Sequence, residues 1–142
     1  MGKKFLIDTN IIIYYLKDEL PEYSSEIIKE IFSDSFNISI ITKIEFLGWN
    51  GFSEEEFEQA SSFINIADIL ILNNDIGERA ILIKRKRNMK LPDASIAATA
   101  IEGDYILVTR NEKDFSDIEG LEIYNPFKKE HKRTRVGLDV PK

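Results

Sequence analysis

Residues 5–10 read FLIDTN, and three isoleucines follow at positions 11–13. An acid, Asp8, therefore lies between two of the most hydrophobic runs in the chain. A carboxylate buried without a partner costs far more free energy than its apolar neighbours gain, so Asp8 needs a hydrogen-bond donor, a counter-charge or a metal ion. The stretch predicts a strand over 4–8 that ends at this acid and a helix over 9–17 that leaves it.

Short β-rich runs alternate with helical runs along the rest of the chain. The further predicted strands cover 37–41, 69–72, 105–109 and 121–124, and the further predicted helices cover 21–32, 42–49, 54–66, 74–88 and 92–102. Strands separated by helices pair in parallel, through right-handed crossovers, with helices on both faces of the sheet. We therefore expect one α/β domain over residues 1–126, a five-stranded parallel sheet sandwiched between helices, and an irregular basic C-terminal tail over 127–142.

Several helix ends carry recognisable signals. Pro21 suits the first turn of the second helix, because the N–H that proline lacks would have no partner there. Ser53 and Glu56 have the spacing of a capping box. Gly103 is expected to stop the helix over 92–102 by adopting a left-handed conformation.

The composition excludes several classes of protein. The 142 residues suffice for one domain with its own core, and the absence of cysteine excludes disulfides, thiolate zinc sites and a cysteine nucleophile. A single histidine, His131, rules out two-histidine ribonuclease chemistry and argues against a Ser-His-Asp triad. No apolar stretch is long enough to span a membrane, and no signal peptide is recognisable, so we expect a cytoplasmic protein with no membrane partner.

The sequence also argues against two other classes of α/β protein, nucleotide-binding proteins and phospho-accepting signalling domains. There is no glycine-rich loop of the kinds that hold nucleotide phosphates. A phospho-accepting signalling domain would need adjacent acids at the end of the first strand, whereas Asp8 is followed by Thr9 and Asn10.

The net charge of −6 conceals two basic stretches, which contain ten of the 19 lysines and arginines. The first stretch contains Lys84, Arg85, Lys86, Arg87 and Lys90, and the second contains Lys128, Lys129, Lys132, Arg133 and Arg135. Such clusters suit a phosphate backbone, although each is equally compatible with a solvated helix face or a basic tail. We expect the first stretch, together with Arg110, to bind the phosphates of a nucleic acid, which the resemblance described below specifies as RNA.

Three other acids occupy positions comparable to that of Asp8. Glu45 interrupts the apolar helical run IITKIEFLGW and is expected to point toward packed structure. Asp93 begins a helix of small residues, and Asp114 follows the fourth predicted strand. In parallel sheets, ligands bind beyond the carboxyl ends of the strands where the strand order reverses, so the four acids are expected to converge there.

Each acid alone has an ordinary explanation, as a helix cap or as a polar loop residue. Four carboxylates share one pocket only if cations neutralise them or if some of them take up protons. Oxygen ligands without cysteine or histidine select magnesium or manganese. A metal ion held in this way lowers the pKa of a bound water and neutralises charge on a phosphoryl group, as in hydrolysis of a phosphodiester.

Four motifs, IDTNIIIYYL, TKIEFLG, LPDASIAATA and LVTRNEKDF, follow one another in that order. The ordered set resembles the motifs of the PIN-domain ribonucleases, and most closely those of the VapC-like toxins of prokaryotic toxin–antitoxin pairs. The resemblance covers residues 4–125. It implies a five-stranded parallel sheet between helices, a magnesium- or manganese-dependent endoribonuclease, a homodimer and a small antitoxin as partner.

The resemblance also assigns roles to the acids. Asp8 and Asp93 would bind the main metal ion, and Glu45 would orient or deprotonate the attacking water. The fourth acid falls at Asn111 in some family members and at Asp114 in others, and we assign it to Asp114, which carries the charge that a metal ligand needs.

Supporting roles are expected for four neutral neighbours of the acids: Thr9 and Thr109, which could hydrogen-bond the carboxylates, and Asn10 and Asn111, which could hold water or substrate. Two alternatives to a toxin remain open: a PIN nuclease of RNA processing that has no antitoxin, and an inactive RNA-binding PIN module. A short upstream gene that overlaps this one would indicate an antitoxin, and a metal titration would test for the inactive module.

Overall fold

The structure is a computed structural model that describes Gly2, residues 4–129 and the backbone of 132–133 and 139–140. Its central sheet contains β1 (Lys4–Ile7), β2 (Asn37–Ser39), β3 (Asp68–Leu70), β4 (Tyr105–Val108) and β5 (Glu122–Tyr124). The helices of the described residues are α1 (Thr9–Leu16), α2 (Ser25–Asp34), α3 (Ile40–Leu47), α4 (Glu54–Ile64), α5 (Asn74–Lys86), α6 (Leu91–Gly103) and α7 (Glu112–Phe115). The predicted α/β fold with a five-stranded sheet is confirmed.

The strand order in the sheet is β3-β2-β1-β4-β5, and every pairing is parallel. From β1 the chain builds the sheet in one direction through β2 and β3, and then returns to pair β4 on the other side of β1. The order therefore reverses between β1 and β4. Because Ile7 is in register with Val108, Asp8 and Thr109 emerge side by side at this switch point.

The sheet separates two hydrophobic cores, as alternation along β1 requires. Phe5 and Ile7 face one core and Leu6 faces the other, and all three are buried. The second core packs against α6, whose alanines from Ala94 to Ala100 have no exposed surface. Small residues along α6 let the helix lie close to the sheet, which brings the start of α6 to the same edge as Asp8.

Several helix and strand ends differ from the sequence-based expectations, and the structure explains three of these differences. Pro21 adopts an extended conformation, and a 3-10 turn over Glu22–Ser24 precedes α2, so that helix begins later than expected. β2 ends two residues early because the side chain of Ser39 caps α3 by accepting the Ile41 N–H. The left-handed residue after α6 is Asp104 rather than Gly103, since the helix extends one residue further and aspartate tolerates this conformation. The capping box of Ser53 and Glu56 is present as expected.

Two short features of the C-terminal third were not expected. Helix α7 has four residues, too few to show a helical period in the sequence, and Phe115 anchors it in the core. The backbone of Lys132–Arg133 pairs in antiparallel fashion with that of Asp139–Val140, where an irregular tail was expected. His131 and Arg135 of that tail lie outside the described residues, and the domain boundary at residue 126 stays a prediction. In the described part, none of the helices has both the length and the apolar character needed to span a membrane.

Candidate active site

Asp8 is the buried centre of the site. It caps the N-terminus of α1, and only 4% of it is exposed. Its Oδ1 accepts the Thr9 N–H at 2.8 Å, and its Oδ2 accepts the Thr109 hydroxyl at 2.8 Å and the Asn10 amide at 3.1 Å. The hydrogen bonds from Thr9 and Thr109 agree with the sequence-based expectation, whereas Asn10, expected to hold water or substrate, also donates to Asp8. Three donors fix the orientation of this carboxylate between two apolar runs.

The charge of Asp8 is nevertheless not neutralised. The pKa of Asp8 is raised to about 6, chiefly by burial, and the nearby carboxylates of Asp93 and Glu45 contribute to the rise. The hydrogen bonds from Thr109 and Thr9 act in the opposite direction and offset only part of the rise. A carboxylate with neutral donors and acidic neighbours occupies a place where a cation would be strongly favoured.

Glu45 reaches the site from α3 and differs from the expectation. The Thr9 hydroxyl donates to its Oε1 at 2.7 Å, but the residue is exposed and does not point into packed structure. The reason is that Thr42 and Phe46, four residues apart, form the buried face of α3, and Glu45 lies beside that face.

Thr42 is a site residue that the sequence analysis did not identify. It is fully buried, and its hydroxyl lies 3.3 Å from that of Thr9. Its position three residues before Glu45 on a helix was the available signal, because residues at this spacing are neighbours. Thr42 and Thr9 together link α3 to α1 beneath Glu45.

Asp93 connects the remaining acids. It lies in the first turn of α6 and is half-buried, and burial raises its pKa. The charges of Glu45 and Asp114 raise the pKa of Asp93 as well, while Lys90 lowers it. Since Asp8 also responds to Asp93, the four acids form one electrostatically coupled group at the carboxyl edge of the sheet.

The two candidates for the fourth acidic position lie on the rim. Asp114 is exposed on α7, and Asn111 is exposed at the start of the same helix. The backbone N–H of Asn111 donates to the Thr109 hydroxyl at 3.0 Å, which ties α7 to the residue that holds Asp8. The charge of Asp114 acts on Asp93, and this agrees with its assignment to the acidic group.

Two of the five basic residues expected to bind RNA instead hydrogen-bond to backbone carbonyls. Lys84 donates to the carbonyl of Met89 at 2.8 Å. Arg87 donates through Nη1 to the carbonyl of Ser116 at 2.7 Å and through Nη2 to that of Asp114 at 2.9 Å. The other three expected residues, Arg85, Lys86 and Lys90, are exposed.

Arg110 is held in a fixed position beside the acids. Its Nη1 donates to the Tyr14 hydroxyl at 2.7 Å, and its guanidinium lies 4.1 Å from the centre of the Phe127 ring. Its backbone N–H donates to Asn10 Oδ1 at 3.2 Å. No sequence pattern indicated the contact of Arg110 with Tyr14, which is 96 positions away, or with Phe127, which lay in the expected tail.

An open depression of about 660 Å³ adjoins the acids. It is lined by residues of the β4–α7 connection, α7 and the segment after β5: Arg110, Asn111, Glu112, Lys113, Asp114, Ser116, Asn125 and Lys128. The lining of the depression carries charges of both signs.

The donor set agrees with magnesium or manganese in chemistry, because it is made of carboxylate oxygens. The side chains are not closed around an ion, because no three of the described acidic side chains are arranged to hold one together. Asp8 is fixed, whereas Glu45 and Asp114 are exposed and have room to turn. Asp8 and Asp93 are therefore the residues best placed to bind a metal ion first, with the rim acids turning toward it.

The fold and the acidic group at its switch point can be compared with those of known proteins. The PIN domain family model matches residues 5–121, and the chain belongs to the PIN domain family. It is 36% identical over 131 residues to ribonuclease VapC1 of Methanocaldococcus jannaschii, which covers 86% of this chain and 88% of that protein. The family predicted from the four sequence motifs is thereby confirmed.

Solved structures show the same fold. A toxin–antitoxin complex from Klebsiella pneumoniae contains a chain with a TM-score of 0.71 and 28% identity, covering 88% of this chain and 99% of that one. DNA-bound VapBC from Salmonella typhimurium contains a chain with a TM-score of 0.72 and 25% identity, covering 87% and 98%. The similarity extends over nearly the full length of both neighbours.

Proposed function

We propose that the protein is a magnesium- or manganese-dependent endoribonuclease and the toxin of a toxin–antitoxin pair. The observation that carries the proposal is Asp8, a buried carboxylate with fixed orientation on which the charges of Asp93 and Glu45 act, while Asp114 acts in turn on Asp93. The name of the M. jannaschii relative, a ribonuclease, and the toxin–antitoxin complexes among the structural neighbours support the choice of substrate and partner.

The residues divide the chemistry between them. Asp8 and Asp93 would hold the metal ion, and Asp114 would complete the site from the rim. When bound, the ion would lower the pKa of the attacking water and neutralise charge on the phosphate. Thr109 and Asn10 keep the carboxylate of Asp8 in one orientation.

Glu45 is the proposed general base. The Thr9 hydroxyl occupies Oε1 at 2.7 Å, which leaves Oε2 to accept a proton from the attacking water. The exposure of Glu45 suits this role better than burial would, because the base must reach a water molecule and then release the proton to solvent.

RNA would lie in the depression beside the acids, with its phosphates near Arg110. Tyr14 and Phe127 hold the Arg110 guanidinium in place, so it loses little conformational entropy when it binds a phosphate. The exposed cations Arg85, Lys86 and Lys90 would bind flanking phosphates. Among these cations, Lys90 is the one whose charge lowers the pKa of Asp93. A small antitoxin, a homodimer and a cytoplasmic location complete the proposal by analogy with the toxin–antitoxin complexes.

The primary experiment is cleavage of a defined RNA by purified protein in magnesium and in excess chelator. Wild type should cleave only with the metal ion, and Asp8→Asn and Asp93→Asn should not cleave. Magnesium should also raise the melting temperature of wild type by mass action, and should do so less in either variant. Asp34→Asn is the matched control, since Asp34 ends α2 just before β2, at the opposite edge of the sheet.

Two results would contradict the proposal: equal cleavage with and without chelator, or cleavage by Asp8→Asn and Asp93→Asn at the wild-type rate. The toxin role has a separate test. Expression should stop growth, co-expression of a short gene immediately upstream should restore it, and sequencing of RNA ends should locate the cleaved bonds. Growth that is indifferent to expression would favour a processing nuclease.

A further inference from the structure

We propose that Arg87 is a positioning residue that fixes Asp114 at the active site, and not a contact to RNA. The inference rests on the proposed function, since it concerns the fourth acid of that site. Arg87 follows the last residue of α5 and is half-buried, whereas Arg85 and Lys86 in the same basic stretch are exposed. Its two terminal nitrogens each donate to one carbonyl, that of Ser116 at 2.7 Å and that of Asp114 at 2.9 Å.

The two carbonyls lie at the C-terminal end of α7. A helix leaves its last carbonyls without partners inside the helix, and a basic side chain there satisfies them and interacts favourably with the helix dipole. The planar fork of arginine can reach two acceptors at once, which an ammonium group cannot do with the same geometry. Arg87 therefore closes the end of a helix with four residues, a length that does not support a stable helix by itself.

Asp114 lies between the fixed points of α7. The N–H of Asn111 bonded to Thr109 holds the start of the helix, Phe115 anchors it in the core, and Arg87 holds its end. Because Arg87 bonds to the Asp114 carbonyl itself, it fixes the backbone from which this carboxylate projects. Arg87 thus supplies the side-chain hydrogen bonds that join the α5–α6 connection to the last turn of α7.

The same connection leads to Asp93. Arg87 stands six residues before Asp93, with Lys90 between them, and the charges of Lys90 and Asp114 both act on Asp93. One short segment thus carries one acid and restrains the backbone of another. Asp93 and Asp114 belong to different helices, and the segment from Arg87 to Asp93 links the two through the bond of Arg87 to the Asp114 carbonyl.

The test is manganese binding, measured by calorimetry or by the electron paramagnetic resonance of free Mn²⁺, without RNA. Arg87→Ala should weaken Mn²⁺ binding by about 10-fold, the lower end of the loss typical for outer-shell partners of metal ligands, and Asp114→Asn should weaken it at least as much. Combining the two substitutions should weaken binding no further than Asp114→Asn alone, because Arg87 acts through Asp114. Arg87→Lys should restore only part of the affinity.

Hydrogen exchange supplies a readout that needs no metal ion. The amides of 112–117 should exchange faster in Arg87→Ala than in wild type, while those of α6 should be unchanged. Arg79→Ala is the matched control. Arg79 lies in α5, the helix that ends just before Arg87, and it pairs with Glu102 of α6 at 2.8 Å. It should leave both Mn²⁺ affinity and exchange at 112–117 as in wild type.

Arg85→Ala separates positioning from RNA binding. It should weaken RNA binding and reduce the salt dependence of that binding, with Mn²⁺ affinity unchanged, which is the reverse of the pattern for Arg87→Ala. The inference is overturned if Arg87→Ala binds Mn²⁺ like wild type, if its effect adds to that of Asp114→Asn, or if exchange at 112–117 is unaltered. If wild type itself binds no Mn²⁺, the proposed function fails, and the exchange experiment alone decides whether Arg87 restrains the helix.

Discussion

The centre and the rim of the acidic group are built in different ways. Asp8 is 4% exposed, and a residue of the neighbouring strand's end, Thr109, holds its side chain. Asp114 is exposed on a short helix, and the hydrogen bonds of Arg87 reach its backbone and not its carboxylate. The centre is thus fixed by strand pairing, which the whole fold maintains, whereas the rim depends on a few side chains. Substitutions at the two places should differ in kind as well as in size.

The largest expected difference is in RNA cleavage. Asp8→Asn should lower the cleavage rate by more than about 100-fold at every magnesium concentration, beyond the loss typical for an outer-shell partner, because it removes a direct ligand. Asp114→Asn should lower it by about 10-fold at low magnesium and recover as magnesium rises, since an exposed ligand contributes chiefly to metal affinity. Rates across a magnesium series measure both.

Asn111 provides the control for the rim. Asn111→Ala should cleave nearly as well as wild type, and Asn111→Asp, which adds a charge to the group, should lower the magnesium requirement if its side chain turns toward the site. If Asp114→Asn cleaves like wild type throughout the series while Asn111→Ala is inactive, then Asp8, Glu45 and Asp93 form the whole anionic site and the assignment of Asp114 is wrong.

The second difference is in the pH dependence of stability without divalent metal. The pKa of Asp8 is about 6 in the folded protein against 3.8 as its ordinary value, so the folded state retains a proton that the unfolded chain has lost. Between these two values the free energy of unfolding should fall as pH rises, by about 3 kcal/mol in total at 1.36 kcal/mol per pKa unit. Urea unfolding from pH 3.5 to 7 measures the slope.

Asp8→Asn should remove most of this slope, so its stability relative to wild type should be higher at pH 7 than at pH 4. Asp114→Asn should keep the slope of wild type. The half-buried Asp93, whose pKa is also raised, adds a contribution of the same sign in all three proteins. A slope in Asp8→Asn equal to that of wild type would mean that the buried carboxylate does not titrate in this range.

A third, smaller effect concerns the link between centre and rim. The Thr109 hydroxyl donates to Asp8 and accepts the Asn111 N–H, so Thr109→Val breaks both bonds in a fully buried position. Stability should fall by about 1–3 kcal/mol, the penalty for buried groups left unpaired. Cleavage should fall by about 10-fold, as for other outer-shell partners.

Thr99→Val is the matched control for Thr109→Val. Thr99 is a buried threonine of α6 whose hydroxyl donates to the Ser95 carbonyl at 2.7 Å, away from the acids. It should lose stability without losing activity per folded molecule. Equal activity in the two variants would show that Thr109 serves folding only.

The smallest expected effect is at the exposed cations of the rim. Reversing the charges of Arg85, Lys86 and Lys90 should weaken RNA binding and reduce its salt dependence by about 0.7 in log–log slope for each lost contact to single-stranded RNA. Filter binding over a salt series measures the slope, with Arg79→Glu as the control on the same helix. An unchanged slope would assign the stretch to ordinary solvated surface.

The parts of the site that the sequence predicted are those with a local signal. Asp8 interrupts an apolar run, and Asp93 begins a helix that the small residues after it predict. Local sequence patterns therefore predicted the positions of both acids. Glu45 was expected near the other acids and accepts a hydrogen bond from Thr9, the residue after Asp8. Its exposure was not foreseen, because which side of α3 is buried depends on its packing against the rest of the fold.

Contacts between distant segments left no signal. The two bonds of Arg87 to the end of α7 span 27 and 29 positions, and the sequence showed only a run of positive charge. Tyr14 and Phe127 meet at Arg110 through packing that no period or spacing encodes. Charge runs are ambiguous because the same side chain serves solvent, a polyanion or a carbonyl, and the fold decides which.

The bond between Asp8 and Thr109 joins residues that are 101 positions apart. During synthesis on the ribosome, Asp8 and Asn10 leave the exit tunnel long before β4, and at that stage the carboxylate lacks its donor from β4 and the companion acids Asp93 and Asp114. A truncated or unfinished chain therefore contains the first acid without the site. If the proposed nuclease activity is directed against the RNA of the same cell, the strand order β3-β2-β1-β4-β5 delays assembly of the site until most of the chain has been made.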